Sequence, residues 1–278
     1  MSKKHLKEFI GFGVAGNFAH HLEQAGEASD FVDVITDEED APKGIFPFYL
    51  PFSDTFLGTY PLSSIEITHP RTKDGNLQME PEVAIICDIE YKDQKVSTLT
   101  PRFFTAYNDC SIRKENAKKI SEKKNWGEAT KGISSHILPI DKFSKGGVMD
   151  SYHIASFLKR DGELYQYGED SAVLTYNYFY EKLQNWIIDK LNNQTDNGPL
   201  EDLNKHIKNS NYPTGAIISI GATSYTPFGE STFLEVGDQI YVYIYDSKTY
   251  TFDDIKNDAK SDKISELKNC SVLHQHII

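Results

Sequence analysis

Three carboxylates carry the first chemical suggestion in this sequence. Glu80 and Glu82 stand two residues apart, directly before the apolar run Val83 to Tyr91 (VAIICDIEY). In extended backbone alternate side chains share a face, so both carboxylates point one way. Like charges held together repel unless a cation lies between them or one of them takes a proton. Pro81 between them has no N–H to donate, which suits a strand start or an edge. Asp109 follows in the stretch TAYNDCSIRK. Three carboxylate oxygens are hard ligands, suited to Mg²⁺ or Mn²⁺, with Ca²⁺ as a further choice. Alone, a Glu-x-Glu pair is more often a solvated strand end.

Other signals compete. Arg113, Lys114, Lys118, Lys119, Lys123 and Lys124 crowd into a dozen positions. Such a run reads as the solvated face of a helix; the alternative is that it steers an anionic substrate. Gly11-x-Gly13-x-x-Gly16, with Asp33 beyond it, matches a dinucleotide fingerprint. That mechanism needs a firm preceding strand, a helix whose N-terminus meets pyrophosphate, and later βαβ units. None is apparent, so these glycines are assigned to turning the backbone. His274-Gln275-His276 offers ligands for a borderline metal but lies where chains are usually mobile. No Gly-x-Ser-x-Gly, Cys-x-x-Cys or Walker-type loop occurs.

The elements that position these groups follow from composition and periodicity. The chain has 278 residues, 39% hydrophobic and 25% charged, which suits a globular protein with a substantial core. A net charge of −12 argues against nucleic acid as a partner. Three widely spaced cysteines, an N-terminus without a signal pattern and no apolar run of membrane length point to a cytoplasmic, reduced protein. Strands are expected at Val83 to Tyr91, Ala216 to Ile220 and Gln239 to Asp246, the last with an aliphatic and an aromatic face. Ile154 to Arg160 and Glu163 to Tyr167, joined by Asp161-Gly162, read as a hairpin. Helices are expected from Phe18 to Ala25, from Ser111 to about Lys124, and from Ala172 to Asn192, the last capped by Asp170 or Ser171. Residues 44–64, rich in Phe, Pro, Tyr and Gly, suit irregular extended structure, and residues 250–270 a charged, partly helical extension. Strands without regular helix alternation favour an α+β fold.

Taken in order, the motifs resemble those of the fumarylacetoacetate hydrolase superfamily. Glu80-Pro81-Glu82-Val83-Ala84 is similar to the family's metal-binding Glu-x-Glu. Asn108-Asp109-Cys110-Ser111-Ile112-Arg113 is similar to the turn that supplies its third carboxylate. Trp126 through Lys131, the Asp161 to Gly168 hairpin, Gly221-Ala222-Thr223 and Phe233 to Asp238 resemble later family motifs. The resemblance spans roughly residues 10 to 246. It implies a mixed β-roll or β-sandwich core with peripheral helices, a Mg²⁺ or Mn²⁺ ion on Glu80, Glu82 and Asp109, and a homodimer. It also implies chemistry next to the carbonyl of a small oxo-acid, with an enolate held by the metal. Lys131 would add positive charge, and Arg113, Gln166 and Thr223 would contact the bound acid. Residues 1–65 would form an N-terminal segment with a lid as one use, 66–250 the metal-binding core, and 251–278 a C-terminal extension.

Two departures matter. His21 falls on the histidine of the family's water-activating pair, but its partner position is Gln24, a neutral amide. Leu50 stands where a lysine is expected. The chain therefore supports two readings: a metal-dependent enzyme using His21 and Lys131, or a non-catalytic relative that binds a metabolite or stabilises an assembly. A nucleotide-binding reading would require NAD to raise the melting temperature.

Overall fold

The apolar run at Val83 to Tyr91 is the inner part of a longer strand, Pro81–Lys92, that lies at the centre of the architecture. The computed structural model describes residues 6–278 except 20, 28–30, 32, 33, 35, 37, 39, 71–74, 115, 116 and 262–266. In chain order the strands are β1 (Ile10–Ala15), β2 (Gly44–Tyr49), β3 (Leu62–Ser63), β4 (Glu66–Ile67) and β5 (Leu77–Gln78). Next come β6 (Pro81–Lys92), β7 (Lys95–Asn108), β8 (Ser111–Ile112), β9 (Lys131–Ile133) and β10 (Leu138–Pro139). The remainder are β11 (Tyr152–Arg160), β12 (Glu163–Ala172), β13 (Gly215–Ala222), β14 (Gln239–Asp246) and β15 (Cys270–Ile277). The helices are α1 (His21–Gln24), α2 (Tyr180–Asn193), α3 (Leu203–Asn209), α4 (Pro227–Ser231) and α5 (Phe252–Lys260).

One sheet of eight strands runs β2-β1-β13-β6-β7-β9-β3, with β10 also on β7. A second runs β12-β11-β14-β15-β4, and β5 and β8 form a small separate pair. Three pairings are parallel (β1 with β13, β3 with β9, β4 with β15), so both large sheets are mixed. Their facing side chains share one core: Val83, Ile85 and Cys87 of β6 cluster with Ile154 and Leu158 of β11 and with Ile240, Val242 and Ile244 of β14. The expected α+β fold, with a mixed-sheet core and helices at its periphery, is what the chain adopts.

Strand β14 shows why alternation is informative. Its aliphatic face enters that core, while Tyr241, Tyr243 and Tyr245 point away and are covered by Ile255 and Ala259 of α5. The tyrosine face is thus buried as well. Two of its hydroxyls donate to carboxylates, Tyr243 to Asp258 at 2.9 Å and Tyr245 to Asp170 at 2.9 Å.

Several expectations are corrected. The helix expected from Ala172 begins only at Tyr180, because backbone N–H groups of Asn177 and Tyr178 donate to the carbonyl and side chain of Asn17 and hold that stretch extended. Asp170 does not cap it; it accepts from Tyr245 and faces His153. No helix spans Ser111 to Lys124. The described part of that segment is a short strand, a loop and one 3₁₀ turn at Ile120–Lys123. Residues 44–49 form a regular strand in place of irregular structure, and β1 contains Gly11 and Gly13. Those glycines are flat places in a strand: a Cβ would lie 2.3 Å from the Phe48 ring at Gly11 and 2.3 Å from the Phe46 ring at Gly13. With β1 paired to β2 and β13 and only the four-residue α1 nearby, the dinucleotide geometry is absent among the described residues; Asp33 lies outside them. His274-Gln275-His276 lies in strand β15, with Gln275 fully buried, so this stretch is a structural member of the second sheet.

Candidate functional site

The register of two strands brings the carboxylates together. Pro81 pairs with Asn108 and Glu82 with Tyr107, so Glu80 and Asp109 face each other at the open end of the β6–β7 hairpin. The Asp109 N–H donates to the Glu80 carbonyl at 2.9 Å, and Asn108 Oδ1 accepts from the Glu80 N–H at 3.1 Å. Glu82, two residues on, shares the face of Glu80. The pairing of β13 with β6 is irregular between Ser219 and Ala222, and there the Gly221 N–H donates to Glu82 at 2.8 Å. Such an irregularity re-aims a backbone group that a regular ladder would have used. Glu80, Glu82 and Asp109 are all buried, and they offer ligand atoms within 4.8 Å of one another. They form a buried acidic group of the kind that can hold a metal ion.

Four cationic side chains reach the same place. Lys124 Nζ lies 2.7 Å from Glu80 Oε2 and 2.6 Å from Asp109 Oδ2. Lys131 Nζ lies 3.0 Å from Asp109 Oδ1, donates to the Cys110 carbonyl and sits over the Trp126 ring. Arg113 places one nitrogen 2.7 Å from Glu80 Oε1 and 2.8 Å from Glu27 Oε1. Its other nitrogens donate to Gln78 and the Tyr225 hydroxyl. Lys123 joins from the far side, 2.9 Å from Glu27. The basic run expected on a solvated helix is thus divided: Lys114 and Lys118 are exposed, whereas Lys123 and Lys124 are buried. Their burial is possible because a carboxylate meets each ammonium.

Protonation follows from burial and partners. Burial works against the charge of Glu80, yet Lys124 and Arg113 hold its carboxyl well below the ordinary range. Glu27 is likewise lowered to about 2, its burial overcome by Arg113 and Lys124. Glu82 goes the other way: burial, then the neighbouring charges of Asp109 and Glu80, push it well above the usual value. Burial lowers Lys131, and it lowers His21 to about 4. The imidazole is therefore neutral at pH 7. Its Nδ1 lies 3.0 Å from the Thr223 carbonyl, which can only accept, so Nδ1 carries the proton and Nε2 keeps a lone pair.

The remaining residues singled out in the sequence fall in several places. Thr223 is buried, and its hydroxyl and N–H both donate to the Pro81 carbonyl while its own carbonyl fixes His21. Gln24 does not orient His21; it clasps the backbone of Tyr225, donating to its carbonyl and accepting from its N–H. Leu50 is part of the apolar core. Gln166 stands on β12 and donates to the Gly168 carbonyl, two residues along its own strand, rather than to the acidic centre. Sequence reasoning missed Lys124 and Glu27. The signal available was negative: between Ser111 and Lys124 only Ile112 and Ile120 are large and apolar, too few for a helix stripe.

The donor set suits a hard divalent ion. Both oxygens of Asp109 and Oε1 of Glu80 each meet a cation within 3.0 Å, and a carboxylate oxygen with one such partner keeps a lone pair for a further ligand. The cavity beside them, lined by His21, Phe46, the three carboxylates and Lys124 among others, measures about 20 Å³, enough for one water molecule.

Comparison with known proteins agrees with this architecture. Residues 27–277 match the model of a family described as "Family of unknown function (DUF5718)". The chain belongs to that family. No curated protein matches it by sequence. Among solved structures, a 2-keto-3-deoxyarabinonate dehydratase aligns over 97% of this chain and 73% of its own, with a TM-score of 0.57 and 15% identity. A second structure of 2-keto-3-deoxy-D-arabinonate dehydratase, complexed with magnesium and 2,5-dioxopentanoate, aligns over 100% and 80%, with a TM-score of 0.54 and 15% identity. A putative fumarylacetoacetate hydrolase family protein from Yersinia pestis CO92 aligns over 97% and 93%, with a TM-score of 0.50 and 13% identity. This chain thus shares the fold of that fumarylacetoacetate hydrolase family protein and of the dehydratase. No helix among the described residues is long and apolar enough to cross a membrane.

Proposed function

We propose that this chain is a metal-dependent enzyme acting next to the carbonyl of a small oxo-acid, with Glu80, Glu82 and Asp109 as the ligands of Mg²⁺ or Mn²⁺. The single observation that carries this reading is the convergence of three buried carboxylates from both strands of one hairpin. The dehydratase that shares the fold, bound to magnesium and an oxo-aldehyde acid, supports the class of ligand. When bound, the ion supplies Lewis acidity where negative charge grows beside a carbonyl.

The protein's own groups have separate tasks. Lys131 places an ammonium at the edge of the centre, where it stabilises a developing oxyanion. His21, neutral and with Nε2 free to accept, takes a proton from water or from carbon. Arg113 and Thr223 act mainly by position, Arg113 by tying Glu80 to Glu27 and Thr223 by fixing the imidazole tautomer. Gln166 would meet the acid only after the centre opens. Opening is required, since the cavity is far smaller than an oxo-acid.

A screen of acylpyruvates, oxaloacetate and 2-keto-3-deoxy acids tests the proposal. Turnover should disappear with EDTA, return with Mg²⁺ or Mn²⁺, and be abolished by Lys131→Ala. Activity indifferent to chelation would overturn it. The engagement of Gln24 with Tyr225 and the apolar setting of Leu50 favour a second reading, a non-catalytic relative that binds a metabolite. No turnover, together with a saturable rise in melting temperature on adding oxalate, would select that reading.

A further inference from the structure

The position of Lys124 has a consequence for how a metal reaches the carboxylates. Arg113 and Lys131 each touch one of the paired acids, Arg113 on Glu80 and Lys131 on Asp109. Lys124 touches both, bridging Glu80 Oε2 and Asp109 Oδ2 at 2.7 and 2.6 Å. We propose that Lys124 is a tethered cation that competes with the divalent ion for Glu80 and Asp109, so that metal loads only as Lys124 withdraws. This rests on the metal-binding reading of the centre and adds a control on it.

The surroundings suit such a device. Lys124 closes the 3₁₀ turn Ile120–Lys123, with its N–H donating to the Ser121 carbonyl. The next residue, Asn125, is pinned to the Phe48 and Thr59 carbonyls, which fixes the point from which the lysine side chain extends. Its ammonium also lies 5.0 Å from the centre of the Phe46 ring, a face that favours a cation. That ring has room because position 13 is glycine. With Lys124 in place, the cavity of about 20 Å³ leaves no space for an ion and its waters. Withdrawal of the lysine chain would release both the space and two carboxylate oxygens. An ammonium carries one charge and a divalent ion two, so the ion is the stronger partner for three acids once the lysine's tether no longer favours it.

The test is metal binding itself, read without activity. Free Mn²⁺ is titrated by electron paramagnetic resonance against the wild-type chain, Lys124→Gln and Lys124→Met. Both variants should bind Mn²⁺ at least about tenfold more tightly than wild type. Without metal they should melt below wild type, since the carboxylates lose their bridging cation, and Mn²⁺ should raise their melting temperatures further than it raises that of wild type. Equal affinity in all three proteins overturns the competition while leaving the metal site standing. Failure of all three to bind Mn²⁺ overturns the metal reading, and the competition with it. Should neither variant fold, Trp186→Phe leaves Trp126, two residues from Lys124, as the sole indole. Its emission should change as Mg²⁺ binds, and Mg²⁺ binding without any change counts against withdrawal.

Discussion

Two buried polar regions of this molecule solve the same problem differently. Over the outer face of β14, Tyr243 and Tyr245 each present a neutral hydroxyl to one carboxylate, Asp258 and Asp170. Each acid there has its own hydroxyl, and the tyrosines belong to a single strand. At the open end of β6 and β7, acids are set against acids, and cations come from the segments at 113, 123–124 and 131. The first arrangement satisfies polar atoms left over from packing. The second assembles like charges that a stable core would avoid, and that contrast supports the metal centre proposed there.

The comparison is broken most severely by Glu80→Ala. Removing that carboxylate strips Lys124 and Arg113 of a buried partner, and a loss of about 3–5 kcal/mol is expected in chemical denaturation. A loss below about 1 kcal/mol would mean the centre is wetter and looser than its geometry implies. Acid gives the next effect. The folded values of His21 and Glu27 are depressed, to about 4 and about 2. A depressed folded value means stability that is present above the ordinary value and lost as pH falls through the folded one. Melting temperature should therefore drop first between pH 6.5 and 4, as His21 is forced to charge, and again from 4.5 toward 2, as Glu27 is neutralised. The tyrosine face responds on the alkaline side, where burial and their carboxylate partners raise Tyr243 and Tyr245. The smallest effect is Tyr243→Phe, which should cost about 1 kcal/mol and leave Mn²⁺ affinity unchanged. A change in metal affinity there would show that the two regions are coupled.

The same contrast explains what could be read from the sequence. The common face of Glu80 and Glu82 was legible because a two-residue spacing fixes it, whereas Asp109 was singled out only through the resemblance of Asn108 to Arg113 to a family turn. The two faces of β14 were legible for the same reason, since period-two alternation is a local property. Lys124 was not legible, because burying its ammonium depends on carboxylates from two other strands that no local pattern reveals. Strand β7 was hidden by Pro101, which the structure accommodates where the register with β6 shifts. Strand β15 was hidden by its polar composition: Gln275 is fully buried only because its amide meets the carbonyls of Ser63 and Glu66 and the side chain of Asn108.

Because the bridging ammonium is covalently part of the chain, the acidic hairpin end carries its own counter-ion from synthesis onward. Closure of the two sheets around Glu80 and Asp109 can then proceed in surroundings depleted of free divalent ions, and the finished fold does not have to await their arrival.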